Sequence, residues 1–189
     1  MKNNLYQYGL IGLGLLLAVF LFIRSRKKGG DNTDEANELE KAKPDIKLTG
    51  KTCAGRTPRG VRNNNPGNLR LTAEAWKGKV PNAINTDGDF EQFEEWVYGV
   101  RAMLKLLRNY IGSGHNTIAK IIRRYAPTTE NSTNQYINTV VQRTRMGANQ
   151  LLDRDDKTVM RKLVQEMAAV ELGCHLVNDS EFNQAWNLL

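Results

Sequence analysis

The longest uninterrupted apolar segment lies near the amino terminus. Residues 5–23 carry no charge and consist mainly of leucine, glycine, isoleucine and phenylalanine. One helix crosses a bilayer with about 20 such residues. A cleaved signal peptide is the alternative, but no small-x-small cleavage site follows Phe22 and the next residues are strongly basic. The pattern therefore predicts a single transmembrane anchor within residues 1–28.

The charges around this segment predict its orientation. Four arginines and lysines lie between residues 24 and 28, whereas Lys2 and the amino terminus are the positive groups before the segment. The positive-inside rule places the more basic side in the cytoplasm. The sequence therefore predicts that the carboxy-terminal bulk of the chain faces the cytoplasmic side.

A polar stretch separates the anchor from the rest of the chain. Residues 29–50 are charged and poor in large apolar side chains, so they cannot bury a core of their own. We interpret them as a flexible linker and expect a globular domain over residues 51–189.

The second half of this domain has the periodicity of helices. From Tyr98 onward, apolar residues recur at positions i, i+3, i+4 and i+7, separated by capping residues, glycines and Pro127. Tyr136 belongs to one of these apolar stripes, which we interpret as core. The predicted helices run from Tyr98 to Gly112, from Asn116 or Thr117 to the residues before Pro127, onward from Ser132 or Thr133, from Asp155 to Gly173, and onward from Asp179.

The first half of the domain has a different pattern. Asp87-Gly88 is typical of a tight hairpin turn, and Trp76, Phe90 and Phe93 supply apolar bulk around it. The sequence therefore predicts a mainly α fold with a small β-hairpin region. Several acidic residues follow the turn, and we expect them to keep the hairpin soluble. They are Glu91, Glu94 and Glu95.

An asparagine-rich turn precedes the hairpin region. Residues 59–70 contain four asparagines around Pro66-Gly67, which predicts a turn with proline second and glycine third, Gly67 having positive φ. Asparagine amides both donate and accept hydrogen bonds. Such a cluster either holds neighbouring backbone or binds a polar ligand such as a sugar, and the sequence alone leaves both interpretations open.

Composition narrows the classes of partner only a little. The net charge of +7 and a pI of about 9.5 favour an anionic partner: nucleic acid, a membrane surface or an acidic cell-wall polymer. Cys53 and Cys174 are compatible with one disulfide if the domain lies outside the cytoplasm. The residue spacings include no zinc site, phosphate-binding loop or serine–histidine pair, so no metal or cofactor is implied.

Glu171 is the carboxylate with the most unusual context. It ends an apolar helix, with Val170 and Leu172 on either side and Gly173 two residues later. A helix carboxy terminus and apolar surroundings both disfavour the charged form, so its pKa should rise. A protonated glutamic acid is what glycoside cleavage needs as general acid. The alternative is a solvated glutamate in a last helical turn.

Several short motifs follow one another in a fixed order along the domain. They are Arg62-Asn63-Asn64-Asn65-Pro66-Gly67-Asn68-Leu69-Arg70, Trp76-x-Gly78, Asp87-x-x-Phe90-x-x-Phe93, Gly99-Val100-Arg101-Ala102, and Ala126-Pro127 followed by Glu130-Asn131-x-Thr133-x-x-Tyr136. This series resembles a family of phage and prophage virion-associated proteins interpreted as lysozyme-like murein hydrolases. The resemblance covers residues 59 to about 175, and Glu171-x-Gly173 matches the end of the family's late helix. That helix tends to end in His-Glu-x-Gly, whereas Val170 stands at the histidine position here.

The chain also resembles bacterial glucosaminidases and soluble lytic transglycosylases, more weakly. In those enzymes a helix that ends in the catalytic glutamate comes before the asparagine turn, whereas Glu171 comes after it here. The resemblance therefore implies a circularly permuted lysozyme-like domain. It requires Glu171 to lie beside the Asn63–Asn68 turn, across a sugar-binding cleft.

The two resemblances imply cleavage of the peptidoglycan glycan strand by a membrane-anchored phage protein during cell-wall penetration. Glu171 would be the general acid of a lytic transglycosylase, and Asp87 the second carboxylate of a muramidase. The remaining candidates bind sugar or, alternatively, shape the turn and the core. These substrate-binding candidates are Asn63, Asn65, Asn68, Tyr125 and Trp76.

The expected location and partners follow from the anchor and the resemblance. We expect a single-pass protein of a phage virion membrane or a bacterial inner membrane, with lipid around residues 5–23, peptidoglycan as substrate and other virion proteins nearby. The alternative is a non-catalytic membrane protein of the virion, which is structural or binds nucleic acid or partner proteins. The predicted orientation favours that alternative, because murein cannot be reached from the cytoplasm.

Overall fold

The structure, a computed structural model, describes residues 44–127 and 130–189. The predicted anchor at residues 5–23 and most of the predicted linker lie outside the described residues. Within the described ranges, no helix combines the length and the apolar character needed to span a bilayer. The compact unit begins at Pro44, ahead of the predicted boundary at residue 51. Lys47 belongs to it, because its amide donates to the Glu94 carbonyl at 2.8 Å.

The described part of the chain is mainly helical, which confirms the predicted class. Capping follows the sequence at Thr117 and Asp156, whose side chains accept from backbone amides of the first turn. The last helix is capped by Asn178 in a capping box with Glu181, one residue before the predicted cap. The helices are α1 (Arg59–Arg62), α2 (Trp96–Gly112), α3 (Ile118–Tyr125), α4 (Glu130–Thr144), α5 (Lys157–Leu172) and α6 (Asp179–Asn187), with a 3₁₀ turn at Asn82–Ile84.

The predicted apolar stripes form one main core. Helix α2 packs along α6 and also contacts α3 and α5, while α4 packs between α3 and α5. Each fully buried aliphatic side chain is worth about 1.5–3 kcal/mol relative to exposure, so these stripes supply most of the driving force for the fold. The stripe residues with no exposed surface include Val100, Met103, Leu104, Leu107, Ile118, Ile121, Ile122, Val140, Leu163 and Met167.

The predicted β-hairpin is wrong. The Asp87-Gly88 turn exists, with Gly88 at φ +83°, but the described residues form isolated bridges in place of strands. The chain before the turn forms a 3₁₀ turn, and residues 89–94 bond to three separate segments: 69–71, 78–80 and Asn63. One or two hydrogen bonds to each segment are too few to make a ladder.

The asparagine-rich turn has a different backbone from the predicted one. The Asn68 amide donates to the Asn65 carbonyl at 3.0 Å, so the turn closes as expected. The residues with positive φ are Asn64, at 49°, and Asn68, at 46°, whereas Gly67 lies outside that region. Gly67 is needed for space, because a Cβ there would collide with the hydroxyl of Tyr125. The prediction of positive φ at Gly67 is therefore wrong.

A disulfide connects the beginning of the domain to the end of α5. Cys53 and Cys174 are joined, with Cα atoms 5.9 Å apart and a sequence separation of 121 residues. This settles a pairing that the sequence left open. The bond holds the loop before α1 against the residues that follow Glu171.

We expect reduction of this disulfide to lower the free energy of unfolding by about 3–5 kcal/mol, because it frees a long loop in the unfolded chain. Urea unfolding of the full-length protein, with and without dithiothreitol, measures the difference. The Cys53→Ser/Cys174→Ser double variant is the control, and its midpoint should not respond to the reductant. Equal midpoints for oxidised and reduced wild-type protein would contradict the pairing.

Candidate active site

Glu171 lies in the final turn of α5, where the helix meets the asparagine-rich turn. The helix stops because Gly173 adopts φ 82°, a left-handed conformation that favours glycine. Ala168, Ala169 and Leu172 are buried, and this fixes the helix end against the core. The Glu171 side chain is itself half-buried. The local sequence therefore holds one carboxylate at the edge of an apolar surface.

Each oxygen of the Glu171 carboxylate accepts one hydrogen bond. The Asn68 amide donates to Oε2 at 3.2 Å, and also to the Glu171 carbonyl at 3.1 Å. The hydroxyl of Tyr136, from α4, donates to Oε1 at 3.0 Å. Two elements distant in sequence, the turn and α4, thus converge on the end of α5.

The surroundings of Glu171 favour its protonated form. Burial raises the pKa of this carboxyl above its usual value, and the hydrogen bonds from Asn68 and Tyr136 oppose the shift without cancelling it. No ion pair joins Glu171 to a basic side chain in residues 44–127 and 130–189. The site therefore offers a carboxylic acid that can hold and release a proton.

Tyr125 contacts the asparagine-rich turn from the protein interior. Its hydroxyl donates to the Gly67 carbonyl, and its ring packs against the cluster of Leu69, Phe93 and Ala102. Burial, and then the nearby Glu171 carboxylate, raise the pKa of the Tyr125 phenol well above its usual value. Trp76 packs half-buried against the same cluster. Both aromatic candidates thus contribute to packing around the turn.

Three consecutive asparagines are directed into the protein. Asn63, Asn64 and Asn65 are 3%, 0% and 0% exposed. The Asn65 amide donates to the carbonyls of Leu69 and Glu91 at 3.0 and 2.9 Å. The Asn64 amide lies within hydrogen-bonding distance of three carbonyls, those of Lys47, Phe93 and Glu94. Asn68 is the predicted amide that reaches Glu171, while Asn63 and Asn65 hold the protein itself.

Asp87 is tied into a separate network. Arg59 donates to both of its carboxylate oxygens, at 2.7 and 2.6 Å, and the Asn63 amide donates at 2.7 Å. The Arg59 guanidinium holds the pKa of Asp87 well below its usual range. No hydrogen bond joins Asp87 to Glu171 among the residues that the structure describes. The structure therefore places the two candidate carboxylates in different surroundings.

Two side chains differ from the roles that the sequence indicated. Glu91, expected at the solvent-exposed surface, is 0% exposed and pairs with Lys79 at 2.8 Å and with the Thr72 hydroxyl at 2.9 Å. This expectation was wrong because the Glu91 side chain is buried within the extended segment that follows the Asp87-Gly88 turn. The sequence predicts only a core role for Tyr136, whereas its hydroxyl also donates to Glu171. The sequence does contain a signal for this contact, because a buried phenol on an aliphatic stripe needs a hydrogen-bond partner.

Comparison with known proteins gives one informative similarity. Over 99 residues the chain is 39% identical to "Protein P5" of Pseudoalteromonas phage PM2. The match covers 50% of this chain and 61% of the phage protein, so the chain spans less than two thirds of that relative. The chain matches no protein-family model. It is therefore similar to a phage protein, whose name states no activity.

The raised pKa of Glu171 predicts a dependence of stability on pH. Because the folded state binds this proton more tightly than the unfolded state, the stabilisation is complete below the unfolded pKa and is lost as pH rises through the folded pKa. Glu171→Gln cannot ionise. We therefore expect the variant to gain free energy of unfolding relative to wild type between about pH 4 and pH 7.

Urea unfolding of both full-length proteins across this range measures the difference. A difference that stays constant with pH would contradict the assignment. So would a variant that loses stability relative to wild type as the pH rises.

Proposed function

We propose that this domain cleaves the glycan strand of peptidoglycan as a lytic transglycosylase, with Glu171 as its acid and base. The observation that carries the proposal is the geometry at the end of α5, where Asn68 and Tyr136 hold a half-buried carboxyl with a raised pKa. Such a group is protonated at a higher pH than an ordinary glutamate and can donate to a leaving oxygen. The ordered series of motifs between Arg62 and Gly173 supports the same assignment.

The reaction needs only this one carboxyl group. Protonated Glu171 gives its proton to the oxygen between two sugars, and the glycosidic bond breaks. The carboxylate then takes the proton from the C6 hydroxyl of the same muramyl residue as that oxygen bonds to C1. The product is a 1,6-anhydro sugar, no water is consumed, and Glu171 ends protonated as it began.

The environment of Asp87 favours this pathway over hydrolysis by two carboxylates. A retaining or inverting muramidase needs a second carboxylate that is free to act as nucleophile or base. Asp87 has both oxygens engaged by Arg59 and a strongly lowered pKa, so it is a poor base and a poor nucleophile. The role that we assign to Asp87 is to hold Arg59 against the turn.

The contact between Asn68 and Glu171 also supports a lysozyme-like, circularly permuted arrangement. That interpretation requires the late helix to end beside the asparagine turn, and the two groups are 3.2 Å apart. We propose that the sugar-binding cleft runs over this junction. Asn68 is then the turn residue that orients the acid.

The disulfide indicates on which side of a membrane the domain is located. Disulfides persist outside the cytoplasm, which is where peptidoglycan lies. The Cys53–Cys174 bond therefore favours a domain on the outer side of a membrane, in opposition to the orientation that the positive-inside rule predicts. Together with the similarity to a phage protein, it supports a virion-associated enzyme that reaches murein during penetration of the cell wall.

A non-catalytic virion protein is the second candidate. The net charge of +7 favours it, since a basic domain also binds nucleic acid or anionic lipid without any chemistry at Glu171. In that case Glu171 would be dispensable. Substitution of Glu171 therefore distinguishes the catalytic function from the non-catalytic one.

We expect Glu171→Gln to reduce lytic activity at least ~10²-fold while the protein stays folded, because the amide cannot donate or accept the proton. Glu166→Gln is the matched control: Glu166 lies in the same helix but pairs with His175 and Arg143. Full-length proteins are incubated with purified peptidoglycan, and the products are identified by mass spectrometry. Anhydro-muropeptides should appear with wild type and with Glu166→Gln.

The outcomes separate the candidates. Activity that survives in Glu171→Gln contradicts the mechanism. A folded wild-type protein that releases no muropeptides favours the binding function. Reducing-end products in place of anhydro products would point to hydrolysis and require a base other than Asp87.

A further inference from the structure

A groove of about 580 Å³ is lined by residues from the amino-terminal end of the asparagine-rich turn and from neighbouring segments. Asn63 lines it at one end of the turn, while Asn68 at the other end contacts Glu171. The groove is an open depression in the surface of the protein. The groove lining consists of Ile46, Leu48, Arg59, Arg62, Asn63, Thr86, Asp87 and Gln92.

Two features of the lining select a type of ligand. Leu48 is 68% exposed and, with Ile46, contributes aliphatic surface to the lining. The lining also includes two arginines, Arg59 and Arg62. A ligand with small aliphatic groups and a negative charge would complement both kinds of side chain.

Arg62 carries the positive charge that is available to such a ligand. Arg59 is neutralised by Asp87 and Asp89, at 2.6 and 3.0 Å. Arg62 is exposed, donates one hydrogen bond to the Thr57 carbonyl at 2.7 Å, and has no carboxylate partner in the part of the chain that the structure describes. A guanidinium has five donors, so most of those of Arg62 remain available for a carboxylate.

The groove and Glu171 lie close enough to act on one substrate. Gly60 lies in the sequence between Arg59 and Arg62 and packs closely against the residues around Glu171. A Cβ at this position would lie 2.8 Å from the Leu172 side chain and 2.9 Å from the Asn68 side chain. Residues 63 and 68 are five steps apart, which limits their Cα separation to about 18 Å. A strand lying across Glu171 can thus place a side branch in the groove.

We propose that this groove binds the acidic stem peptide of a peptidoglycan strand, with a peptide carboxylate on Arg62 and its small aliphatic side chains against Ile46 and Leu48. The inference rests on the proposed function, since it concerns the branch carried by that substrate. It makes the enzyme selective for strands that still carry their peptides. The guanidinium acts through binding alone and takes no part in proton transfer.

The test is a binding measurement in a background that cannot cleave. Full-length Glu171→Gln protein is titrated calorimetrically with a muramyl disaccharide, the same disaccharide with an acidic tetrapeptide, and that peptide with its carboxylates amidated. A charge-assisted hydrogen bond is worth enough to change affinity about tenfold or more. We expect the acidic peptide to improve affinity by that factor and the amidated peptide to improve it less.

The variant Arg62→Gln, made in the same background, identifies the contact. It should remove the gain from the acidic peptide and leave the affinity for the bare disaccharide unchanged. Arg123→Gln is the control, because Arg123 is exposed on α3 and lies outside the lining of this groove. It should alter neither affinity.

Each result decides between stated alternatives. An acidic peptide that adds nothing, or a gain that survives Arg62→Gln, overturns the groove assignment even if wild-type protein cleaves peptidoglycan. If neither the disaccharide nor its peptide derivatives bind and wild type is inactive, the proposed function fails and the inference fails with it. If the acidic peptide derivative binds to Glu171→Gln protein but wild-type protein does not cleave peptidoglycan, the groove assignment is supported and the catalytic role of Glu171 is contradicted.

Discussion

Buried asparagine amides hold together the irregular segments between Pro44 and α2. An unpaired buried N–H group costs about 1–3 kcal/mol, so the side-chain N–H groups of Asn64 and Asn65 favour this conformation while backbone carbonyls from neighbouring segments stay in place. Those carbonyls belong to the segment at Lys47, to the turn itself and to residues 91–94. The described residues form only isolated bridges, so these amides connect segments that strand pairing connects in other folds.

The same turn positions Asn68 beside Glu171. Asn64 and Asn68 both have positive φ, and this brings the Asn68 amide to the carboxyl group of Glu171, while Tyr125 supports Gly67 from the core. The Cys53–Cys174 disulfide ties the loop before α1 to the residues after Glu171. We infer that Glu171 and the neighbouring groove keep their relative positions because the same turn supplies Asn68 to Glu171 and Asn63 to the groove lining.

Apolar periodicity was sufficient to predict α2, α3, α5 and their stripes, because a buried helical face leaves a regular mark in the sequence. The raised pKa expected for Glu171 followed from its apolar neighbours, and burial is its largest cause in the structure. Polar side chains that are buried in irregular segments leave no such periodic pattern in the sequence. Glu91 and Asn63 are polar, and their burial is explained by tertiary interactions such as those of Glu91 with Lys79 and of Asn63 with Asp87.

The central claim, that the turn and α4 hold Glu171 as an acid, is tested most directly by measuring the pKa of Glu171. Carboxyl chemical shifts of ¹³C-glutamate-labelled protein, followed by NMR across pH, give this pKa, with Glu171→Gln identifying the signal. The account predicts a value above the ordinary 4.5, and a further rise in Tyr136→Phe, which loses a donor to the charged form. A wild-type pKa at or below 4.5, or one that Tyr136→Phe leaves unchanged, would contradict it.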